Sequence, residues 1–209
     1  KLFAEELYGV PHCFSVDGTD DMYHGTKSSI KDRLQSCQPP VPTADSPKAM
    51  IIEAYPLIRK LSSVAVDNFH EFAVVFYNHV VRKAEGFDRL DVVFDRYFQH
   101  SLKAQTRKGR GSGGTRVLVI NDDSPFPDNI LNSFLNNSEN KHDLGLFLTS
   151  QLISIHEDAD MFHLQLCVTY NNGVTSLPSL TSNTTFQIES TAEEADQRLV
   201  RHTLYQERI

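Results

Sequence analysis

Three groups of residues in this 209-residue chain have types and spacings that could do chemistry. Glu53 closes the apolar run Ala49-Met50-Ile51-Ile52-Glu53-Ala54, and Asp95 closes the run Leu90-Asp91-Val92-Val93-Phe94-Asp95. Glu193, Glu194 and Asp196 lie together near the end of the sequence. Carboxylates are the donors that hard divalent cations such as Mg²⁺ and Mn²⁺ require, and a pair of such ions assists phosphodiester cleavage by activating water and stabilising the leaving oxygen. The third group is cationic: Arg96, Lys103, Arg107, Lys108, Arg110 and Arg116 follow one another with no Asp or Glu between them. The whole chain carries a net charge of -7, so this is a local basic segment on an acidic body, and such a segment attracts polyanions.

The elements that must position these residues can be read from periodicity. Ala49 to Ala54 is a short apolar run of the kind found in a strand buried on both faces. Leu57, Ile58, Leu61 and Val64 recur at helical spacing. Asn68 is placed to cap a second helix whose face is Phe69, Phe72, Val75, Phe76, His79, Val80 and Ala84, and Gly86 ends it. Leu90 to Asp95 is the next strand. Two strands joined by helices form a βαβ unit with parallel pairing, and the functional crevice of an open parallel sheet lies beyond the C-terminal ends of its strands. Glu53 and Asp95 are therefore expected to face one crevice.

Beyond the basic segment, with its flexible Gly109-Arg110-Gly111-Ser112-Gly113-Gly114, the pattern predicts helices over about 127–138 and 140–155 and a strand over 162–170. It then predicts a turn at Asn171-Asn172-Gly173 and a short strand over 184–188. Ser190-Thr191-Ala192-Glu193-Glu194 opens a final helix running to Leu204, with a capping-box pattern. Residues 1–48, ending in Gln38-Pro39-Pro40-Val41-Pro42, read as an irregular lead-in to a single domain over 49–209, with the basic loop at about 99–116. The chain begins at Lys1 without Met and stops at Ile209 before any further strand, so the expectation is a piece of something longer.

Val92-Val93-Phe94-Asp95-Arg96-Tyr97, followed by Lys103, Arg107 and Arg110, resembles the N-terminal signature of flap-endonuclease (XPG-type) nucleases, where a strand ends in Phe-Asp and a Lys and an Arg follow. Glu193-Glu194-Ala195-Asp196 resembles the internal acidic motif of those nucleases and of PIN domains. The whole pattern is similar to mobile-element-associated animal proteins that carry a Glu-Glu-Ala-Asp helix before an Asp-x-Asp strand. The resemblance rests on two short patches and, more weakly, on the βαβ frame over about 49–97; it does not reach residues 1–48.

It implies a three-layer α/β/α domain with a mainly parallel, PIN-like central sheet, incomplete at the C-terminus. It further implies a Mg- or Mn-dependent nuclease-type hydrolase acting on DNA or RNA. By resemblance, Glu53 replaces the Asp usual at the first strand, and Asp95 is the second metal ligand. Glu194 and Asp196 come from the start of the last helix, with Asp95, Glu194 and Asp196 as the catalytic set. Lys103, Arg107 and Arg110 form a phosphate clamp that fixes register without reading sequence.

Glu at position 53 is one methylene longer than Asp, and the related nucleases place further Asp residues beyond the point where this chain stops. A site lacking those ligands binds ions weakly. The alternative function is accordingly a non-catalytic nucleic-acid-binding or remnant domain derived from a mobile element.

Plainer readings stand beside each of these. Strand-end carboxylates are common because solvent lies there, and acids in a first helical turn complement the helix dipole without any metal. A glycine-rich basic loop can be no more than solvated chain. His156-Glu157-Asp158-Ala159-Asp160 lies past the expected helix end and lacks zinc spacing, so a solvated turn is expected; His79 reads as a core or rim histidine. Cys13, Cys37 and Cys167 are odd in number and widely spaced, which fits reduced structural thiols.

The sequons at Asn136 and Asn183 bear only on a secreted protein. Neither a signal peptide nor a run of about eighteen apolar residues is present, so the expectation is an intracellular chain, nuclear or cytoplasmic, without membrane partners. No P-loop, nucleophile elbow or G-x-G-x-x-G occurs.

Overall fold

A computed structural model describes residues 48–95, 119–128, 130, 134–161, 163–171, 173–179, 189 and 195–206; for 196, 197 and 204–206 it describes the backbone alone. The expected lead-in over 1–48 thus falls outside the described residues apart from its last residue, as do the basic segment with Lys103, Arg107 and Arg110, the strand over 184–188, and Glu193 and Glu194. All the described residues belong to the compact unit Pro47–Ile209.

Among the described residues the fold is α/β, built on a four-stranded, mostly parallel sheet whose order in space is its order in sequence. Strands β1 (Ala49–Glu53), β2 (Arg89–Val93) and β3 (Gln165–Tyr170) run parallel, with Glu53 paired to Val93 and Val93 to Thr169. Strand β4 (Gly173–Leu177) returns antiparallel to β3, pairing Tyr170 with Gly173. That pairing leaves a two-residue connection, and Asn171 supplies the positive φ, 53°, that such tight hairpin turns demand. The sequence gives a turn here but no β4, because Gly173, Ser176 and Pro178 dilute the apolar alternation of a half-buried edge strand.

Helix α1 (Ala54–Lys60) follows directly from β1. Helix α2 (Phe69–Lys83) starts where Asn68 accepts a hydrogen bond from the Glu71 amide at 2.8 Å, while the Glu71 side chain accepts from the Asp67 amide at 2.9 Å. The first satisfies an amide that the helix start leaves without an intrahelical partner, and the second ties the residue before the cap to the first turn. Helix α3 (Ser138–Asp158) is capped by Asn137, which accepts from the Glu139 and Asn140 amides. It therefore begins where the first of two expected helices ends, and runs one turn beyond the expected end of the second.

Alternation along the strands divides the sheet into two unlike faces. Leu90, Val92, Leu166, Val168 and Tyr170 join α1, α2 and α3 in one apolar cluster. Phe69 is its aromatic centre, with ring centroids of Phe126, Phe134 and Phe147 at 5.3, 5.6 and 6.1 Å. Gly145 lets α3 lie against the sheet: a Cβ there would sit 2.5 Å from the Tyr170 ring. The other set, Arg89, Asp91, Cys167 and Thr169, is buried but polar and meets helix α4 (Ala195–Gln206).

His156 corrects the expectation of a solvated turn. It lies inside α3, fully buried, between the Tyr77 hydroxyl at Nδ1 (2.9 Å) and the Leu164 carbonyl at Nε2 (2.9 Å). A carbonyl only accepts, so Nε2 carries the proton and Nδ1 accepts from Tyr77. Burial lowers the His156 pKa below its ordinary value, against the opposing pull of the Leu164 carbonyl and with help from His163.

The folded state therefore holds a neutral imidazole, whereas the unfolded chain takes up a proton below about pH 6.5. This contribution to stability is complete above that pH and is lost as pH falls from there toward the depressed folded value. A denaturation midpoint level between pH 8 and 7 that declines below about 6.5 is expected, with a weaker decline in His156→Gln. An identical decline in the variant would assign the effect to other groups.

Candidate functional site

The C-terminal edge of the parallel strands gathers what the sequence analysis placed there. Glu53, half-buried, ends β1 and occupies the N-cap position of α1 without capping it through its side chain. Asp95 lies two residues past Val93, the register partner of Glu53, so both carboxylates stand at one edge. Asp95 Oδ1 accepts a hydrogen bond from the Ala195 amide at 2.8 Å. Ala195 is the first residue of α4, so a carboxylate from β2's end sits at a helix N-terminus, where the dipole favours negative charge.

One arginine holds the start of α4 to this edge, and a second ties the helix to the segment before it. Arg198, fully buried, donates to the Phe94 carbonyl at 3.2 Å and to the Asn171 carbonyl, and so spans the ends of β2 and β3. Arg201 donates to the Glu189 carbonyl at 2.6 Å.

Beneath the edge runs a buried polar chain that the sequence analysis did not anticipate. Arg89 donates to both oxygens of Asp91, from Nε at 2.6 Å and a terminal nitrogen at 3.0 Å. His202 Nδ1 donates to Asp91 Oδ2 at 2.6 Å, and its Nε2 meets Thr169 Oγ1 at 2.9 Å. Hydroxyl, imidazole and carboxylate follow one another as in a nucleophile–base–acid relay. Yet Thr169, His202 and Asp91 are each 0% exposed, so the arrangement acts as a brace between α4 and the sheet. Cys167 lies beside it, free and buried; burial, with the Asp91 carboxylate nearby, pushes its thiol far above the ordinary range and leaves it unreactive.

One signal could have found this chain of contacts. Ala195, Arg198 and His202 recur at spacings of three and four, the stripe a helix buries, but two of the three are polar. On the strand side, Arg89 and Asp91 alternate onto one face of an otherwise apolar run.

Of the sequence-derived site residues, the structure brings Asp95 to the start of α4 and sets Glu53 at the same edge. Asp196 is placed by its backbone in the first turn of α4. Glu194, Lys103, Arg107 and Arg110 lie outside the described residues. Among the described residues no three His, Cys, Asp or Glu side chains are grouped to hold a metal ion, and no helix is long and apolar enough to cross a membrane. Comparison with protein-family profiles, with curated proteins and with solved structures finds nothing that matches the chain.

Proposed function

We propose that this chain carries a PIN-like, divalent-metal-dependent nuclease-type domain, three-layered, acting on the phosphodiesters of DNA or RNA. The observation that supports it is the 2.8 Å hydrogen bond from Ala195 to Asp95. It joins the Phe-Asp motif and the Glu-Glu-Ala-Asp motif, a hundred residues apart, at the edge where parallel sheets place their sites.

The donor set is all carboxylate, the kind that suits Mg²⁺ or Mn²⁺ and not zinc. Glu53, Asp95, Glu194 and Asp196 would hold the metal, which when bound supplies charge neutralisation at the phosphate and an activated water. Lys103, Arg107 and Arg110 neutralise backbone phosphates, making nucleic acid the partner, in nucleus or cytoplasm.

Asp95→Asn tests this selectively. The amide oxygen still accepts from Ala195, so α4 stays docked while the negative charge is lost. Mn²⁺-dependent cleavage of a labelled oligonucleotide is expected to fall by at least about 100-fold, since even outer-shell partners of a metal are worth about 10- to 100-fold. Cleavage that survives the substitution sinks the site assignment. A native chain that binds the oligonucleotide without cutting it in Mn²⁺ overturns the catalytic reading and leaves the non-catalytic, nucleic-acid-binding one.

A further inference from the structure

Two tyrosines tie the opening of α3 to the carboxylate edge. Tyr55, two residues after Glu53, donates to the Lys141 carbonyl at 2.6 Å, and Tyr170, the last residue of β3, donates to the His142 carbonyl at 2.7 Å. Between them lies Phe94, whose ring stands edge-on to both, with centroids at 5.7 and 5.8 Å. Phe94 joins the apolar cluster beneath α3, while Asp95, the next residue, meets the first amide of α4. The crevice over the strand ends is thus flanked by the opening of α3 on one side and by Asp95 and the start of α4 on the other.

Docking of α3 is served by the two carbonyls, yet the His142 ring makes a further contact: its Nδ1 lies 2.8 Å from the Tyr170 hydroxyl. That hydroxyl has one proton, and a carbonyl can only accept it. Both contacts are therefore hydrogen bonds only when Nδ1 carries a proton and donates to the hydroxyl oxygen. Nε2 then holds the lone pair; it makes no hydrogen bond with a described residue, and the ring is half-buried. By contrast, His156 and His202 spend both ring nitrogens inside the fold, and His79 Nε2 is sealed from solvent. His70 is also held through Nδ1, but against Gln151 in the middle of α3, away from the strand ends.

We propose that His142 is a further catalytic residue, the general base of the phosphodiester cleavage. An imidazole held through Nδ1–H, with Nε2 left to take a proton, is the arrangement in which histidine does this work. Nε2 takes a proton from the attacking water as the water oxygen bonds to phosphorus. The bond from phosphorus to the leaving oxygen breaks, and the imidazolium passes the same proton to that oxygen, which returns the ring to its neutral form. The titratable groups around it are Tyr170 from β3 and its own chain neighbours Lys141 and Asp143; β4, which also packs on α3, carries none. The inference rests on the nuclease reading above and assigns its proton transfer to a side chain outside the carboxylate set.

The test compares Mn²⁺-dependent cleavage of a labelled oligonucleotide by the native full chain, His142→Gln and Tyr170→Phe across the neutral pH range. His142→Gln is expected to lose at least about 100-fold at neutral pH, the lower end of what a positioned base contributes. Its rate is expected to keep climbing with hydroxide where the native rate levels off, a change of profile that loss of packing alone does not produce. Tyr170→Phe keeps the ring beside Phe94 and removes only the hydroxyl; it is expected to fall by less and to keep the plateau. A second readout needs no variant: in the native chain, the His142 ring resonance is expected to shift when an uncleavable phosphorothioate oligonucleotide binds in EDTA. A resonance that stays in place shows that substrate does not reach the ring, and overturns the base. Cleavage and pH profile unchanged in His142→Gln overturn it too, while the Asp95 site stands. A native chain that does not cleave in Mn²⁺ overturns the nuclease reading and the base together.

Discussion

Asp91→Ala is expected to cost the fold about 3–5 kcal/mol, the range found when one partner of a buried ion pair is removed. Asp91 is the common acceptor of two donors, Arg89 and His202, all within a region of 0–6% exposure. Without it, the Arg89 guanidinium is left buried without this counter-charge, and His202 Nδ1–H loses its acceptor. Chemical denaturation of Asp91→Ala, His202→Ala and the double variant measures this directly. Because the two side chains touch, the double variant is expected to lose less than the sum of the singles, with a coupling of about 0.5–3 kcal/mol. Strict additivity would show that the contact, though short, contributes nothing of its own.

Arg198→Met is expected to be nearly as damaging, at about 2–4 kcal/mol. The methionine fills most of the space, but the buried Phe94 carbonyl and the part-buried Asn171 carbonyl lose a donor, and a buried acceptor left unmet costs about 1–3 kcal/mol. Arg198→Lys is expected to recover only part of the loss, because a lysine ammonium lacks the guanidinium's fixed fork. The effect should reach the candidate site too: Arg198 secures the turn of α4 whose first amide meets Asp95. Equal stability of Arg198→Met and the native chain would mean that α4 is held without it.

Much of the frame was legible because it follows from local rules. The apolar run ending at Glu53, the Asn68 cap and the Asn-Asn-Gly turn each needed only a few adjacent residues, and β1, α2 and the β3–β4 turn stand where those rules put them. A common site for Asp95 and the start of the last helix was implied only by the resemblance of two motifs; the structure shows a hydrogen bond from Ala195 to Asp95 between those segments. What escaped was set by distant partners. His156 looks like a solvated residue among acids until Tyr77, 79 positions earlier, is placed beside it. Asp91 looks like an interruption in an apolar strand until His202, 111 positions later, is laid across it. A reading that equates burial with hydrophobicity passes over such residues, because their desolvation is offset only by groups the chain has yet to supply.

The identity between strand order and chain order has a kinetic side. Each strand from β2 to β4 pairs with the strand immediately before it, so the sheet can grow by successive additions. Helix α4 breaks that progression: its bonds to Asp95 and Asp91 join residues 100 and 111 apart in sequence, reaching back across the sheet to β2. That docking is rewarded only when the buried polar contacts register together. The amides of α4 should accordingly exchange with solvent through an opening that leaves the strands intact, so that the carboxylate edge comes apart as a unit well before the fold does.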